Sequence, residues 1–220
     1  MADVRYVPGF VSASEARYLV GRIRDQPACR WTALPASGRR CQRYGGAVDG
    51  KAGGVVGGVE ELPPWLEELA ARIKDAMPSD HPKPNHVLVN EYEPGAGVLP
   101  HEDGPLYAPA VATLSLGSPC VVSFIPTDET RNKAFQVALM PNSLLVFKGE
   151  AYKAFRHGID GVHAHALPAP DELVNHADPD VLRALERTED GGVHLRRSDT
   201  RYSLTFRRVR SALKWAAVRR

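Results

Sequence analysis

Cysteine is scarce in this chain. Only Cys29, Cys41 and Cys120 occur, an odd number without Cys-x-x-Cys spacing, which excludes a disulfide framework and a zinc ribbon. Long apolar runs are also missing. None approaches the roughly 20 residues needed to cross a bilayer, and residues 1–20 lack the continuous apolar core of a secretory signal. No internal repeat is visible. These absences point to an intracellular protein with reduced thiols and no membrane partner, and the cytoplasm and nucleus are the expected location. What remains is globular: 220 residues, 43% hydrophobic and 25% charged, suited to a single domain with one sizeable core and to a monomer.

The net charge of +2 hides an uneven spread. Nine Lys/Arg and a single acid, Asp199, fall between Arg196 and Arg220, and Arg39, Arg40 and Arg43 form a second cluster. Basic segments attract polyanions through counterion release. A solvated, solubilising surface is the other reading of the same charge.

Met1–Phe10 reads as an extended lead-in. Ser12 followed by Glu15 is a capping-box pattern, and Ala16, Leu19, Val20 and Ile23 recur at helical spacing. A helix is therefore expected from about Ala13 to Asp25. Trp31 to Val59 is rich in Arg, Gly and turn residues, which suits a functional lid. A second helix starts at Pro63-Pro64 with the apolar stripe Trp65, Leu66, Leu69, Ile73 and Met77. After Pro84 the text changes to short β-type runs: His86–Tyr92, Val111–Leu116, Cys120–Ile125, Phe135–Met140, Ser143–Phe147 and Arg201–Val209. Strands after helices predict an α+β, mainly β fold, a sandwich or barrel with helices on one face. Prolines and Gly191-Gly192 break the rhythm from Gly161 to Ser198, which reads as an irregular insertion with one helical patch, Pro179 to Arg187.

The chemistry concentrates in Asn90–Asp103. On an extended segment His101 and Asp103 point the same way while Glu102 points away. With a distant histidine they would make a two-histidine, one-carboxylate triad of the kind that selects Fe(II) and leaves positions open. His157, on a later strand, is a candidate for the third ligand; His163 and His165 are rivals at the edge of the insertion. On the last strand Arg201, Ser203, Thr205 and Arg207 share one face, and Tyr202, Leu204 and Phe206 the other. Buried arginines need anions, and a guanidinium fork suits a carboxylate. Asn90 and Tyr92 offer an amide and a phenol to the same space. A dicarboxylate such as 2-oxoglutarate would link these features, chelating iron at one end and pairing with an arginine at the other.

In order, Asn90-x-Tyr92-x-Pro94-Gly95, His101-x-Asp103, His157-Gly158-Ile159 and Arg201-x5-Arg207 resemble the signature of the AlkB family of Fe(II)/2-oxoglutarate dioxygenases. Pro100-His101-Glu102-Asp103-Gly104-Pro105-Leu106-Tyr107 and Leu62-Pro63-Pro64-Trp65-Leu66 are similar to the family's sixth eukaryotic branch. The resemblance implies a double-stranded β-helix (jelly-roll) core over 86–210, interrupted by the insertion 161–198. It further implies helical support and a nucleotide-recognition lid over 1–85, and a basic tail over 211–220. His101, Asp103 and His157 would bind Fe(II). Asn90, Tyr92 and Arg201 would hold 2-oxoglutarate, Arg201 on its distal carboxylate, with Arg207 near the chelating end. Tyr44 becomes a candidate for base stacking, or else a lid anchor, and Arg40 a substrate contact. The implied activity is O2-dependent demethylation of N-alkylated DNA or RNA, giving formaldehyde, succinate and carbon dioxide. A protein or small-molecule hydroxylase, and a modified-nucleic-acid binding module with little turnover, are the alternatives.

Overall fold

The computed structural model describes residues 3–49, 54–56, 60–130, 132–167, 173–189 and 191–209. In chain order, β1 (Val4–Val7) leads into α1 (Ala13–Arg24). β2 (Thr32–Leu34), β3 (Arg39–Tyr44) and the hairpin β4 (Ala47–Asp49) and β5 (Gly54–Val56) precede α2 (Pro64–Lys74). β6 (His86–Tyr92), β7 (Val98–His101), β8 (Ala110–Gly117), β9 (Cys120–Pro126), β10 (Phe135–Leu139) and β11 (Ser143–Lys148) follow, then α3 (Gly149–Lys153) and β12 (Phe155–Ile159). The chain continues with β13 (Ala164–Leu167), α4 (Pro179–Ala184), β14 (Leu185–Arg187), β15 (Val193–Arg196) and β16 (Arg201–Arg207).

Two antiparallel sheets form the sandwich. The larger runs β1-β11-β8-β16-β6-β3-β2 and the smaller β10-β9-β12-β7. The expected α+β, mainly β jelly roll is what the chain forms. Side-chain alternation decides the layers. On β6, Val87 and Val89 point outward to the helices; His86, Leu88, Asn90 and Tyr92 point inward. On β16, Tyr202, Leu204 and Phe206 join the helix-facing core, while Arg201, Ser203, Thr205 and Arg207 line the space between the sheets. β16 lies between β6 and β8, so all seven of its residues are buried.

The helices cover the outer face of the large sheet. Ser12 Oγ accepts from Glu15 N–H while the Glu15 carboxylate accepts from Ser12 N–H, completing the capping box of α1. Leu19 and Ile23 of α1 meet Trp65, Leu66, Leu69 and Ile73 of α2 in one cluster. Met77, expected on the second helix, lies past its end but is buried in the same cluster.

The insertion is not irregular. Among its described residues a three-stranded sheet, β13-β15-β14, packs with α4 around Leu167, Leu173, Val181 and Leu195. The helical patch expected to reach Arg187 stops at Ala184, because Leu185–Arg187 pairs with β15 instead. Asn175 closes the exposed edge of β10: its Oδ1 accepts from Ala138 N–H and its Nδ2 donates to Ala138 O. The basic tail over 211–220 lies outside the described residues. Among the described basic residues from Arg196 onward, Arg197, Arg201 and Arg207 are buried.

Candidate active site

His101 and His157 face one another as cross-strand partners of β7 and β12, their ring centroids 4.5 Å apart. Asp103 follows just beyond β7 and turns its carboxylate toward them, Oδ2 lying 3.9 Å from His157 Nε2. Ligand atoms from the three residues all lie within 4.8 Å of one another. Two imidazoles and one carboxylate are the donor set that suits Fe(II). Asp103 Oδ2 is buried with no hydrogen-bond partner, as expected of an atom reserved for a cation. The residues present fit the metal.

The surroundings put each donor in its ligating form. His101 Nδ1 lies 2.9 Å from Leu99 O; a carbonyl only accepts, so Nδ1 is the donor, and Nε2 is the ring nitrogen left for a metal. His157 packs against Phe147 and Phe124, with centroids at 5.0 and 6.0 Å. Burial pushes its pKa down to about 4, against the opposing pull of Asp103, so the ring is neutral at physiological pH. Burial works against the charge on Asp103, but Arg207, His157 and His101 together bring its pKa below the ordinary value. Arg207 Nη2 donates to Asp103 Oδ1 at 2.5 Å.

Close approach of backbone makes this geometry possible at Gly158. A Cβ there would meet Pro100 N and Val98 O at 2.9 Å each, in the strand that carries His101. The obstruction is backbone, which cannot swing aside. Gly158→Ala is therefore expected to force β7 and β12 apart and weaken metal binding at least about tenfold, at a stability cost of roughly 1–3 kcal/mol. Mn(II) titration and urea unfolding check this; unchanged Mn(II) affinity would contradict it.

Arg201 stands at the other end of the cavity. It is 1% exposed, its Nη2 donates to Ser115 Oγ at 2.9 Å, and its guanidinium lies 5.3 Å from the Tyr92 ring centroid. Nε and Nη1 are buried and find no hydrogen-bond partner among the described residues. A guanidinium this enclosed with two unsatisfied nitrogens is costly unless an anion joins it. Asn90 and Tyr92 line the same cavity, and Val122, Leu139, Leu145 and Phe147 form its apolar wall. His101 and His157 of the triad and Arg201 thus line one cavity, and a dicarboxylate has a charged group to offer to each. A second, open cleft of about 590 Å³ adjoins this cavity, sharing Val98 and Ile159 with it.

The family model described as the 2OG-Fe(II) oxygenase superfamily matches residues 3–207. The chain belongs to that superfamily. This dioxygenase is 37% identical over 216 residues to a zebrafish (Danio rerio) protein named probable RNA/DNA demethylase ALKBH6, covering 94% of this chain and 85% of that one. That likeness places it in the AlkB family. It is 33% identical over 129 residues to the tRNA (carboxymethyluridine(34)-5-O)-methyltransferase ALKBH8 of Macaca fascicularis, 58% of this chain but 18% of that protein. The solved structure of OsALKBH1 shares the fold, with a TM-score of 0.57 and 18% identity over 94% of this chain and 96% of that one. A 2OG-Fe(II) oxygenase from Burkholderia pseudomallei does so with a TM-score of 0.57 and 13% identity over 96% of this chain and 89% of that one. The enzyme is thus an Fe(II)/2-oxoglutarate-dependent dioxygenase that uses O2.

The fold of the dioxygenase brings together His101, Asp103, His157, Asn90, Tyr92, Arg201 and Arg207, and leaves the rival histidines out. His163 is exposed and lines the open cleft; His165 is buried within the β13–β15 ladder. The lid candidates need correction. Within the expected lid, Trp31 to Val59, residues 39–44 form strand β3 of the large sheet, paired with β6, and alternation separates them. Tyr44 is 2% exposed on the helix side, edge-on to Trp65 at 5.9 Å, with its hydroxyl donating to Gln42 Oε1 at 2.7 Å. It cannot stack on a base; it anchors the strand. Arg40 shares that outer face, paired with the Glu91 carboxylate and lying 4.2 Å over Trp31, so it does not reach the iron cavity. Arg39 does. Tyr44→Ala is expected to cost about 3 kcal/mol of stability, as large-to-small core changes do, while KM for 2-oxoglutarate stays within about twofold. Urea unfolding beside co-substrate kinetics checks this. A rise in KM without loss of stability would contradict it.

Proposed function

We propose that this dioxygenase removes N-alkyl groups from nucleic acid. One observation carries the reading: one cavity is lined by both histidines of an iron-type triad and by Arg201, a buried guanidinium with no ion-pair partner among the described residues. The name of the zebrafish relative, a probable RNA/DNA demethylase, supports the substrate class, as do the exposed arginines Arg17, Arg22, Arg30 and Arg43.

Iron(II) with 2-oxoglutarate and O2 supplies the oxidation, in which 2-oxoglutarate loses carbon dioxide to become succinate and an N-methyl carbon is hydroxylated and leaves as formaldehyde. The protein's part is ligation and placement. His101 and His157 present neutral nitrogens and Asp103 a carboxylate that Arg207 keeps charged and fixed in direction. Arg201 takes the distal carboxylate of the co-substrate. Asn90 and Tyr92 donate hydrogen bonds to it, and the apolar wall keeps bulk water away. The target base would be presented single-stranded or flipped out of its stack.

We further place the enzyme as a monomer of the cytoplasm and nucleus. In support, all three cysteines are free thiols, and no described helix is long and apolar enough to cross a membrane. A panel of N-methylated DNA and RNA oligonucleotides, assayed beside methylated peptides for formaldehyde and the demethylated product, tests the proposal. One formaldehyde and one succinate per modified base removed is the expected result. Turnover confined to peptides would overturn the substrate class, and tight oligonucleotide binding without O2-dependent turnover would make the protein a binding module.

A further inference from the structure

We infer that Arg39 is a positioning residue for the co-substrate, acting through the Asn90 amide. This rests on the reading above in which Asn90 contacts 2-oxoglutarate. β3 and β16 flank β6 on either side, with Arg39 and Arg201 both in register with Tyr92, and Cys41 and Ser203 both in register with Asn90. Arg39 therefore occupies the same inward face as Arg201, one strand beyond Tyr92, and lines the same cavity.

Its guanidinium is held from behind and aimed forward. Nε donates to Ser37 Oγ at 3.0 Å, and that hydroxyl donates to Leu34 O at 3.0 Å. Nη1 donates to Asn90 Oδ1 at 2.9 Å. Among the described residues no carboxylate pairs with Arg39, so this cation is not spent on a structural ion pair.

The chemical consequence lies in Asn90. The two ends of a side-chain amide are nearly the same shape, and only hydrogen bonding decides which way round it sits. Arginine has no acceptor. The oxygen of Asn90 must face Arg39, so the Asn90 NH2 group is turned the other way, into the cavity, where no described residue takes its hydrogens. A dicarboxylate only accepts hydrogen bonds, so it meets a donor. With the amide reversed it would meet a carbonyl oxygen and be repelled. Arg39 thus selects the orientation of Asn90 that binds an anion, and its positive charge favours the same ligand.

The test is a double-mutant cycle on 2-oxoglutarate binding to the Mn(II)-loaded full-length chain, measured by calorimetry, with steady-state KM and kcat alongside. Arg39→Met is expected to weaken co-substrate binding about tenfold and raise KM to match, with kcat at saturation within about twofold and Mn(II) affinity unchanged. Arg39→Lys, which keeps one donor for Asn90, is expected to recover most of the loss. In the Asn90→Ala background the Arg39→Met change is expected to add little, because the amide it orients is gone. A merely structural Arg39 would lower Mn(II) affinity and kcat together, and its effect would persist in the Asn90→Ala background; either result would overturn the inference. So would wild-type-like affinity in Arg39→Met. Failure of the wild-type protein to bind 2-oxoglutarate at all would instead overturn the parent reading, and this inference with it.

Discussion

Arg201→Met protein is expected to bind 2-oxoglutarate at least about thirtyfold more weakly than wild type while being no less stable without it. The two halves of this result have one cause. Without ligand, Arg201 is a fully enclosed cation whose partners are a serine hydroxyl and an aromatic face, with two nitrogens unsatisfied. Replacing an uncompensated buried charge with an apolar side chain of similar length is neutral or stabilising. With ligand, the same guanidinium becomes half of a buried, hydrogen-bonded ion pair. Removing one member of such a pair costs roughly 2–5 kcal/mol, a factor of about thirty to several thousand in affinity. Thermal unfolding of Mn(II)-loaded protein with and without 2-oxoglutarate reads both quantities at once. Lost stability with unchanged affinity would show that Arg201 is structural.

Asp103→Ala should behave in the opposite way in the ligand-free state. Arg207 is buried and its ion pair is with Asp103, so truncating the carboxylate leaves that guanidinium alone. Breaking a buried pair from one side costs about 3–5 kcal/mol, which urea unfolding detects directly. Asp103→Asn keeps an acceptor for Arg207 and should unfold at a midpoint between the alanine variant and wild type, yet still lose the anionic metal ligand. Because the folded carboxyl titrates below its ordinary value, the pair's contribution is fully present above the unfolded carboxyl's pKa of about 4 and is lost as pH falls through the folded value. The stability difference between wild type and the alanine variant should therefore be constant near neutrality and close in acid. A difference that grew toward low pH would contradict the pairing.

Much of this site was legible because its residues lie on strands whose period is two. Alternation of inward and outward faces along Arg201 to Arg207 is enough, from sequence alone, to put both arginines in the cavity. The same logic put Asn90 and Tyr92 together, and the boundaries of β6 were those of the His86–Tyr92 run. His157 needed more than pattern. Its partnership with His101 is a cross-strand pairing between residues 56 positions apart in the chain (157 − 101); its place on a later strand makes it a candidate beside His163 and His165, and the order of motifs in a known family singles it out.

The misreadings share a physical origin. Residues 39–44 have few apolar side chains and are followed by Gly45-Gly46, so they looked like a loop, and without a strand there was no face on which to sort Arg39 from Arg40. Tyr44 gives the clue in retrospect: Arg40, Gln42 and Tyr44 alternate with Arg39, Cys41 and Arg43, and an aromatic at the end of one series marks the core side. The insertion hid its sheet for a related reason. β13, β14 and β15 are only three or four residues long; β14 and β15 form a hairpin whose turn signal is Gly191-Gly192, while β13 joins β15 through a long-range pairing that no local pattern announces.

The most direct measurement is succinate released from 2-oxoglutarate by purified wild-type and Asp103→Asn protein, each supplied with Fe(II), O2 and an N-methylated oligonucleotide. Folding of the variant is verified by circular dichroism in the same samples. Wild-type enzyme is expected to release succinate and formaldehyde in equal amounts, and folded Asp103→Asn protein neither above the enzyme-free background. Succinate from the folded variant at the wild-type rate would contradict the assignment of His101, Asp103 and His157 as the metal site.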